Sequence, residues 1–185
     1  MLRNSDVSDA DLAIRAVAGD GDAFGRLVAR HAPAVRRVAR AALRNDADAD
    51  DASQQAFLKA WRNIGSYDPA RDFRPWLMRI VVNAASDLRR RLKVRQSEPL
   101  PDSAVSREAS PEQSAERALL HRRLEEALAT LPERQRIAIT MFDAEGYSHA
   151  DIASVLDVPQ GTVRSDVFHG RRALRELLSS YREEE

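Results

Sequence analysis

The sequence predicts an all-α chain of two small helical domains, and three observations carry that prediction. Apolar residues recur at helical spacing along nearly the whole chain, with no segment of strand-like alternation. Aromatic residues make up only 5% of a 43% hydrophobic composition, so Ala, Leu and Val supply most of the apolar volume. That mixture favours helix-on-helix packing over aromatic-rich β-structure. Finally, Gln96–Gln113 (QSEPLPDSAVSREASPEQ) holds three prolines, four serines and no apolar period, the composition of a flexible linker. It divides 185 residues into segments 1–95 and 114–185, each near the lower end of self-sufficient core size.

The elements follow in order. Ser8 is placed to cap a first helix, with Asp11 three residues on, near the positive end of the helix dipole. Ala18–Asp22 (AGDGD) breaks it, and two helices are expected at Ala23–Arg30 and Pro33–Leu43, the latter with Val35, Val38 and Leu43 inward. The acidic run from Asn45 to Asp51 suits the start of another helix, whose Phe57 and Trp61, with Ile64, are expected to face a core. Gly65–Pro69 (GSYDP) is a loop by its turn chemistry. Asp72 is placed to cap a helix reaching about Lys93, in which Pro75 falls in the tolerated first turn. Beyond the linker, Ser114–Thr130 is helical with Leu119, Leu120, Leu124, Ala127, Leu128 and Leu131 inward. Pro132 starts a helix through Phe142, and Ala144–Gly146 is a turn. Ser148 caps a short helix ending at Asp157, and a long final helix follows Gly161.

Composition bounds the function. Twenty-nine basic and 29 acidic residues cancel, yet they are unevenly placed: Asp46–Asp51 is acidic, and Arg89–Arg95 and the set Arg164, Arg171, Arg172 and Arg175 are basic. Such runs suit one face to protein and another to nucleic acid, or are ordinary solvated helix faces. The absence of cysteine excludes disulfides and a thiol switch, so redox sensing would belong to a partner. No run approaches the ~20 apolar residues of a membrane span. The N-terminal residues lack a signal-peptide core, and a cytoplasmic protein without membrane insertion is expected. His31, His121, His149 and His169 are not in metal-ligand spacing, and no phosphate-cradling Gly loop or nucleophile elbow occurs. No enzyme activity, metal or cofactor is expected.

Two segments carry the chemistry. In the first, Asp51, Gln54 and Leu58 share a helix face, beside Gln55, Lys59 and Arg62. That mixed polar–apolar surface has the character of a protein interface, or of an ordinary solvated face. In the following helix Phe73, Leu77, Ile80, Ala84 and Leu88 form a core stripe. Arg79, Asn83, Asp87 and Arg90 form a polar one, where Asn offers the donor–acceptor pair that reads a base edge and Arg grips phosphate. In the second segment, Ser148–Arg175 reads as a helix-turn-helix. Ile152, Ala153 and Leu156 face inward, Asp157–Gly161 (DVPQG) forms the turn, and Val163, Val167, Gly170, Leu174 and Leu177 step inward along the second helix. Asp157 stands where a left-handed conformation is useful, which Asp tolerates better than most residues. Gln160, Thr162, Arg164, Ser165, Asp166 and Phe168 are expected outward, where a recognition helix meets base edges.

Taken in this order and joined by the acidic linker, the two segments resemble an extracytoplasmic-function (ECF) sigma factor of the sigma-70 family. Those bacterial subunits direct RNA polymerase to promoters. The motif Asp51-x-x-Gln54-x-x-Phe57-x-x-x-Trp61 is similar to the segment that docks on the β′ clamp helices. The resemblance thus implies polymerase contacts at Asp51, Gln54, Gln55, Leu58, Lys59 and Arg62. Phe73-x-x-Trp76-Leu77-x-x-Ile80-x-x-Asn83-x-x-x-Asp87-x-x-Arg90 resembles the family's −10 recognition helix. It implies −10 contacts at Tyr67, Arg71, Arg79, Asn83, Asp87, Arg90 and Arg91, with Gly65–Arg71 cradling a base flipped from the non-template strand. Gly161-Thr162-Val163-Arg164-Ser165 and the upstream Leu131-Pro132-x-x-x-Arg136 are sigma-like signatures. They imply −35 contacts at Gln160, Thr162, Arg164, Ser165, Phe168, Arg171 and Arg172, with the β flap as a second polymerase contact and an anti-sigma factor as regulator. Asp166 and His169 depart from the family, which more often has basic residues there. For Asp166 two readings stay open, hydrogen bonding to a cytosine amino group or pairing with Arg164 or a neighbouring Arg such as Arg172, the second favoured. Either predicts tighter duplex binding by Asp166→Arg. A free-standing helix-turn-helix regulator, or a decoy that titrates an anti-sigma factor or polymerase, are the rival readings.

Overall fold

The computed structural model describes residues 7–96 and 115–183, so apart from Gln96 the expected linker lies outside the described residues. Among the described residues there are eight α-helices, one 3₁₀ turn, one π turn and no strand. In the first half α1 is Asp9–Val17, α2 Gly21–Leu43, α3 Asp46–Arg62 and α4 Phe73–Gln96, with the 3₁₀ turn at Ile64–Ser66. In the second half α5 is Ala115–Thr130, α6 Glu133–Ile139, α7 His149–Leu156 and α8 Gln160–Glu183, with the π turn at Thr140–Ala144.

Local chemistry sets these boundaries. Ser8 accepts the Asp11 N–H at 3.1 Å, as its position predicts. Asp20 accepts the Ala23 N–H at 2.9 Å, which starts α2 two residues earlier than expected. Nor is α2 broken: it runs as one 23-residue helix through Pro33. Pro33 deletes one backbone donor. Leu27, His31, Val35, Val38 and Ala42 nevertheless form one buried stripe on both sides of it, so tertiary packing carries the helix across the gap. Asn45 caps α3 by accepting the Asp48 N–H at 3.0 Å.

The buried stripe of α3 is Ala49, Ala52, Ala56 and Ala60, all 0–1% exposed. This corrects the expectation that Trp61 faces the core, since Trp61 is 38% exposed. Phe57 is half-buried and packs against the core, and Ile64 is buried, both as expected. Small side chains let the α3 backbone lie close to α2 and α4, the helices it touches most, and that displaces the large residues to the rim. On α5, Leu120 and Leu124 are exposed, against expectation, whereas Ala127 and Leu131 are buried. The sixth helix gives way at Thr140 to a π turn that continues to Ala144.

The helix-turn-helix forms as the sequence predicts. Ser148 and Asp151 make a full capping box, each side chain accepting the other's backbone N–H at 3.1 Å. Asp157 ends α7 with φ 55° and ψ 48°, in the left-handed region. At Gly170 a Cβ would stand 2.2 Å from Ile139 Cδ1 and 3.2 Å from its Cγ1, so the glycine permits the close approach of α8 to α6.

The two halves share one continuous core that runs from Leu12 to Val167. Helix α4 contacts α2 and α3 on one side and α7 on another. Arg74 Nη2 donates to Glu145 O at 2.6 Å, and the Arg74 guanidinium lies 4.5 Å from the Tyr147 ring centroid. Arg89 pairs with Glu133 and Arg37 with Glu145. Met78 and Ala85, both fully buried, fall between Arg74 and Arg89 on the same helical face. Within this contact Arg136 is 6% exposed and has no carboxylate partner among the described residues; its guanidinium donates to the carbonyls of Ala41, Ala42 and Leu131. These acceptors sit at the C-terminal ends of α2 and α5, where carbonyls lack helical partners and the dipole favours a cation. Burial, with Arg44 and Arg89 nearby, lowers the Arg136 pKa to about 10, so it stays charged at neutral pH.

Two stability predictions follow from these contacts. Arg136→Met orphans three carbonyls and should cost about 2–3 kcal/mol, read as a lower urea midpoint. Asp157→Gly relieves the left-handed strain and should raise stability by up to about 1 kcal/mol, whereas Asp157→Val should lower it.

Candidate nucleic-acid interface

The exposed strip of α4 is the first candidate surface. Burial on two sides leaves Arg79, Asn83 and Arg90 exposed, with Asp87 half-buried among them. Asp87 belongs equally to α3, because Lys59 Nζ donates to it at 2.9 Å. That bond, more than the nearby Arg90 and Arg91, holds the Asp87 carboxyl below the usual carboxylate range. Two residues assigned to different partners in the sequence are thus joined, and Lys59–Asp87 ties α3 to the polar strip of α4. Arg91 is exposed beyond them, its Nε 3.4 Å from Asp87 O.

The loop before α4 is stiffer than its turn residues imply. Tyr67 is 5% exposed, its hydroxyl donates to Arg71 O at 2.6 Å, and its ring packs against Phe73 and Trp76 with centroids 5.4 and 5.5 Å away. The sequence placed Tyr67 among DNA-contacting residues. Its buried ring instead holds the loop in shape, while Arg71 is exposed beside Asp68, 3.5 Å away. This loop lines a cavity of about 950 Å³ whose far wall includes Glu145–Tyr147 of the second half.

The mixed polar–apolar face of α3 is a separate surface. Asp51, Gln54, Gln55 and Arg62 are exposed and Leu58 is 43% exposed. Beside them runs an apolar groove of about 410 Å³ formed by Phe24 and Val28 of α2 with Phe57, Leu58 and Trp61. The Phe24 and Trp61 rings are 4.9 Å apart. Phe24 and Val28 were missed in the sequence, although their i, i+4 spacing off the main α2 stripe was a usable signal.

On α8 the exposed face is Gln160, Arg164, Ser165, Phe168 and Arg172, with Thr162 half-buried at one edge and Arg171 at the other. Phe168 is 63% exposed, and Arg172 pairs with Glu176 one turn on at 2.8 Å. Arg171 pairs with Asp143, its Nε donating at 2.9 Å, and lies 4.9 Å from the Phe142 ring centroid. Asp166 is not on this face. It is 5% exposed and accepts from Arg134 Nε of α6 at 2.6 Å. The cytosine reading of Asp166 is therefore overturned, and the pairing reading holds with a partner other than Arg164 or Arg172. The expected gain from Asp166→Arg falls with it, since that change would bury a cation against Arg134.

Comparison with known proteins matches this geometry. The family model described as Sigma-70 region 2 covers residues 27–95, and that described as Sigma-70, region 4 covers 121–174. The chain is 43% identical over 171 residues to the ECF RNA polymerase sigma factor SigM of Mycobacterium tuberculosis, covering 92% of this chain and 85% of SigM. It is 38% identical over 161 residues to the RNA polymerase sigma factor CarQ of Myxococcus xanthus, covering 86% and 91%. Its fold is similar to that of CnrH, solved in complex with the cytosolic domain of CnrY, with a TM-score of 0.71, 31% identity and coverage of 93% and 97%. It is likewise similar to RpoE of Bartonella quintana, solved with the anti-sigma factor NepR, with a TM-score of 0.71, 28% identity and coverage of 84% and 96%. With the α4 strip and the capped helix-turn-helix in one chain, and relatives of this identity along most of its length, the chain belongs to the extracytoplasmic-function RNA polymerase sigma factors.

Proposed function

We propose that the chain works as an alternative sigma factor through three surfaces, with residues 1–95 and 114–185 dividing the labour. The α3 face, Asp51, Gln54, Gln55, Leu58, Lys59 and Arg62, docks on the β′ clamp helices, and the Phe24–Trp61 groove takes an apolar side chain of that partner. The α4 strip with the Gly65–Arg71 loop opens and holds the −10 element. Helix α8 reads the −35 element in the major groove. The observation that supports this most is the separation of the surfaces. Two polar strips rich in arginine and one mixed polar–apolar face are exposed at the same time, on three different helices.

The chemistry requires no catalytic group. Flipping a base costs a few kcal/mol, which a shaped pocket and backbone contacts return, so the strand opens without ATP. The chain acts on DNA in the cytoplasm as a non-enzymatic subunit without metal or cofactor. No helix among the described residues is long and apolar enough to cross a membrane. An anti-sigma factor is the proposed regulator, as CnrH is found with CnrY and RpoE with NepR.

Run-off transcription with purified core polymerase tests the function as a whole: specific transcripts are expected, and DNA binding without transcripts would favour a free-standing regulator. For docking, the double substitution Asp51→Ala with Gln54→Ala should weaken core binding by about 1–2 kcal/mol, on the order of tenfold, with helicity unchanged. A pulldown of core polymerase equal to wild type would sink that assignment. For melting, Asn83→Ala should relax −10 selectivity and slow open-complex formation. Permanganate footprinting reads this directly, and full thymine reactivity at the wild-type rate would count against the role.

A further inference from the structure

Two arginines at the edges of α8 are each held by a carboxylate on one side and open on the other. Arg134 Nε and Nη2 donate to Asp166 at 2.6 and 3.4 Å. The Asp166 side chain is 7% exposed, yet that of Arg134 remains 53% exposed. Arg171 repeats the arrangement with Asp143 through the same Nε and Nη2 edge and stays 48% exposed. A guanidinium held along that edge keeps its Nη1 amino group for an outside acceptor, in a fixed plane.

Their positions matter as much as their pairing. With 3.6 residues per turn, Arg164, Phe168 and Arg172 mark the middle of the exposed face of α8. Asp166 emerges beyond Thr162 at one edge, and Arg171 at the other. A helix seated in a major groove roughly 12 Å wide has a phosphate strand along each side. Arg134 and Arg171 stand at those two sides.

We propose that Arg134 is a phosphate-binding residue of this chain's −35 contact, aimed by Asp166 as its positioning residue, with Arg171 and Asp143 as the matching pair on the opposite strand. The proposal rests on α8 being the recognition helix. It also accounts for the acid at position 166: the carboxylate is withdrawn from the DNA face, and the cation is carried by the neighbouring helix.

The test measures binding of the full chain and its variants to a labelled random-sequence duplex over a potassium chloride series. Arg134→Gln should lower the slope of log K against log salt by about 0.9, one phosphate contact. Asp166→Asn removes a negative charge, so a merely repulsive acid predicts tighter binding; the positioning role predicts weaker binding and a shallower slope. Thermal melts separate stability from aim, since a less stable but folded variant keeps the wild-type slope. An unchanged slope in Arg134→Gln, or tightening in Asp166→Asn, overturns the proposal. Arg164→Ala serves as the control. If it weakens binding while Arg134→Gln does not, only this proposal fails; if Arg164→Ala has no effect, the recognition-helix reading fails and takes the proposal with it.

Discussion

Helix α4 is shared by both halves of the molecule, and the rest of the structure depends on that sharing. Its Phe73, Leu77 and Ala84 side pins it to α2 and α3, and its Arg74 and Arg89 reach the second half. A helix buried on two sides has one strip left for solvent. Here that strip is Arg79, Asn83 and Arg90 with Asp87, so the polar surface that solvent demands falls on the residues proposed to read DNA. Rigidity follows too, because the strip cannot rotate without breaking packing on both flanks.

The close approach of helices shapes the exposed face of α3. Ala49, Ala52, Ala56 and Ala60 remove bulk between α3 and its neighbours, and the large apolar residues Leu58 and Trp61 are left exposed. With Phe57, which packs against the edge of the core, they meet Phe24 and Val28 in a groove. Exposed apolar area of this kind is costly in an isolated chain, and the proposed docking partner would cover it. Across the molecule, Arg136 does the reverse: a charged group enters the core because helix ends supply unpaired carbonyls there.

Much of this was legible in the sequence for identifiable reasons. Ser8, Asn45 and Ser148 lie at helix starts because side-chain caps are local chemistry, readable within four residues. Asp157 was legible as a left-handed turn residue for the same reason. What was not legible depended on other helices. Pro33 looked like a break because the stripe that carries α2 across it is tertiary. The alanine stripe of α3 gave a weak signal beside Trp61, and Leu120 and Leu124 took core positions in the sequence that the fold leaves open. Tyr67 and Asp166 looked outward because their partners, the Phe73–Trp76 cluster and Arg134, are set by packing that spacing along their own element does not reveal.

The claim that the free strip of α4 meets promoter DNA is tested most directly by site-specific photocrosslinking in holoenzyme bound to a promoter. A photoreactive amino acid at position 79 or 83 should crosslink to the non-template strand within the −10 element. The same probe at position 85, on the face between Arg74 and Arg89, should not. Crosslinks from position 85 with none from 79 or 83 would contradict the account.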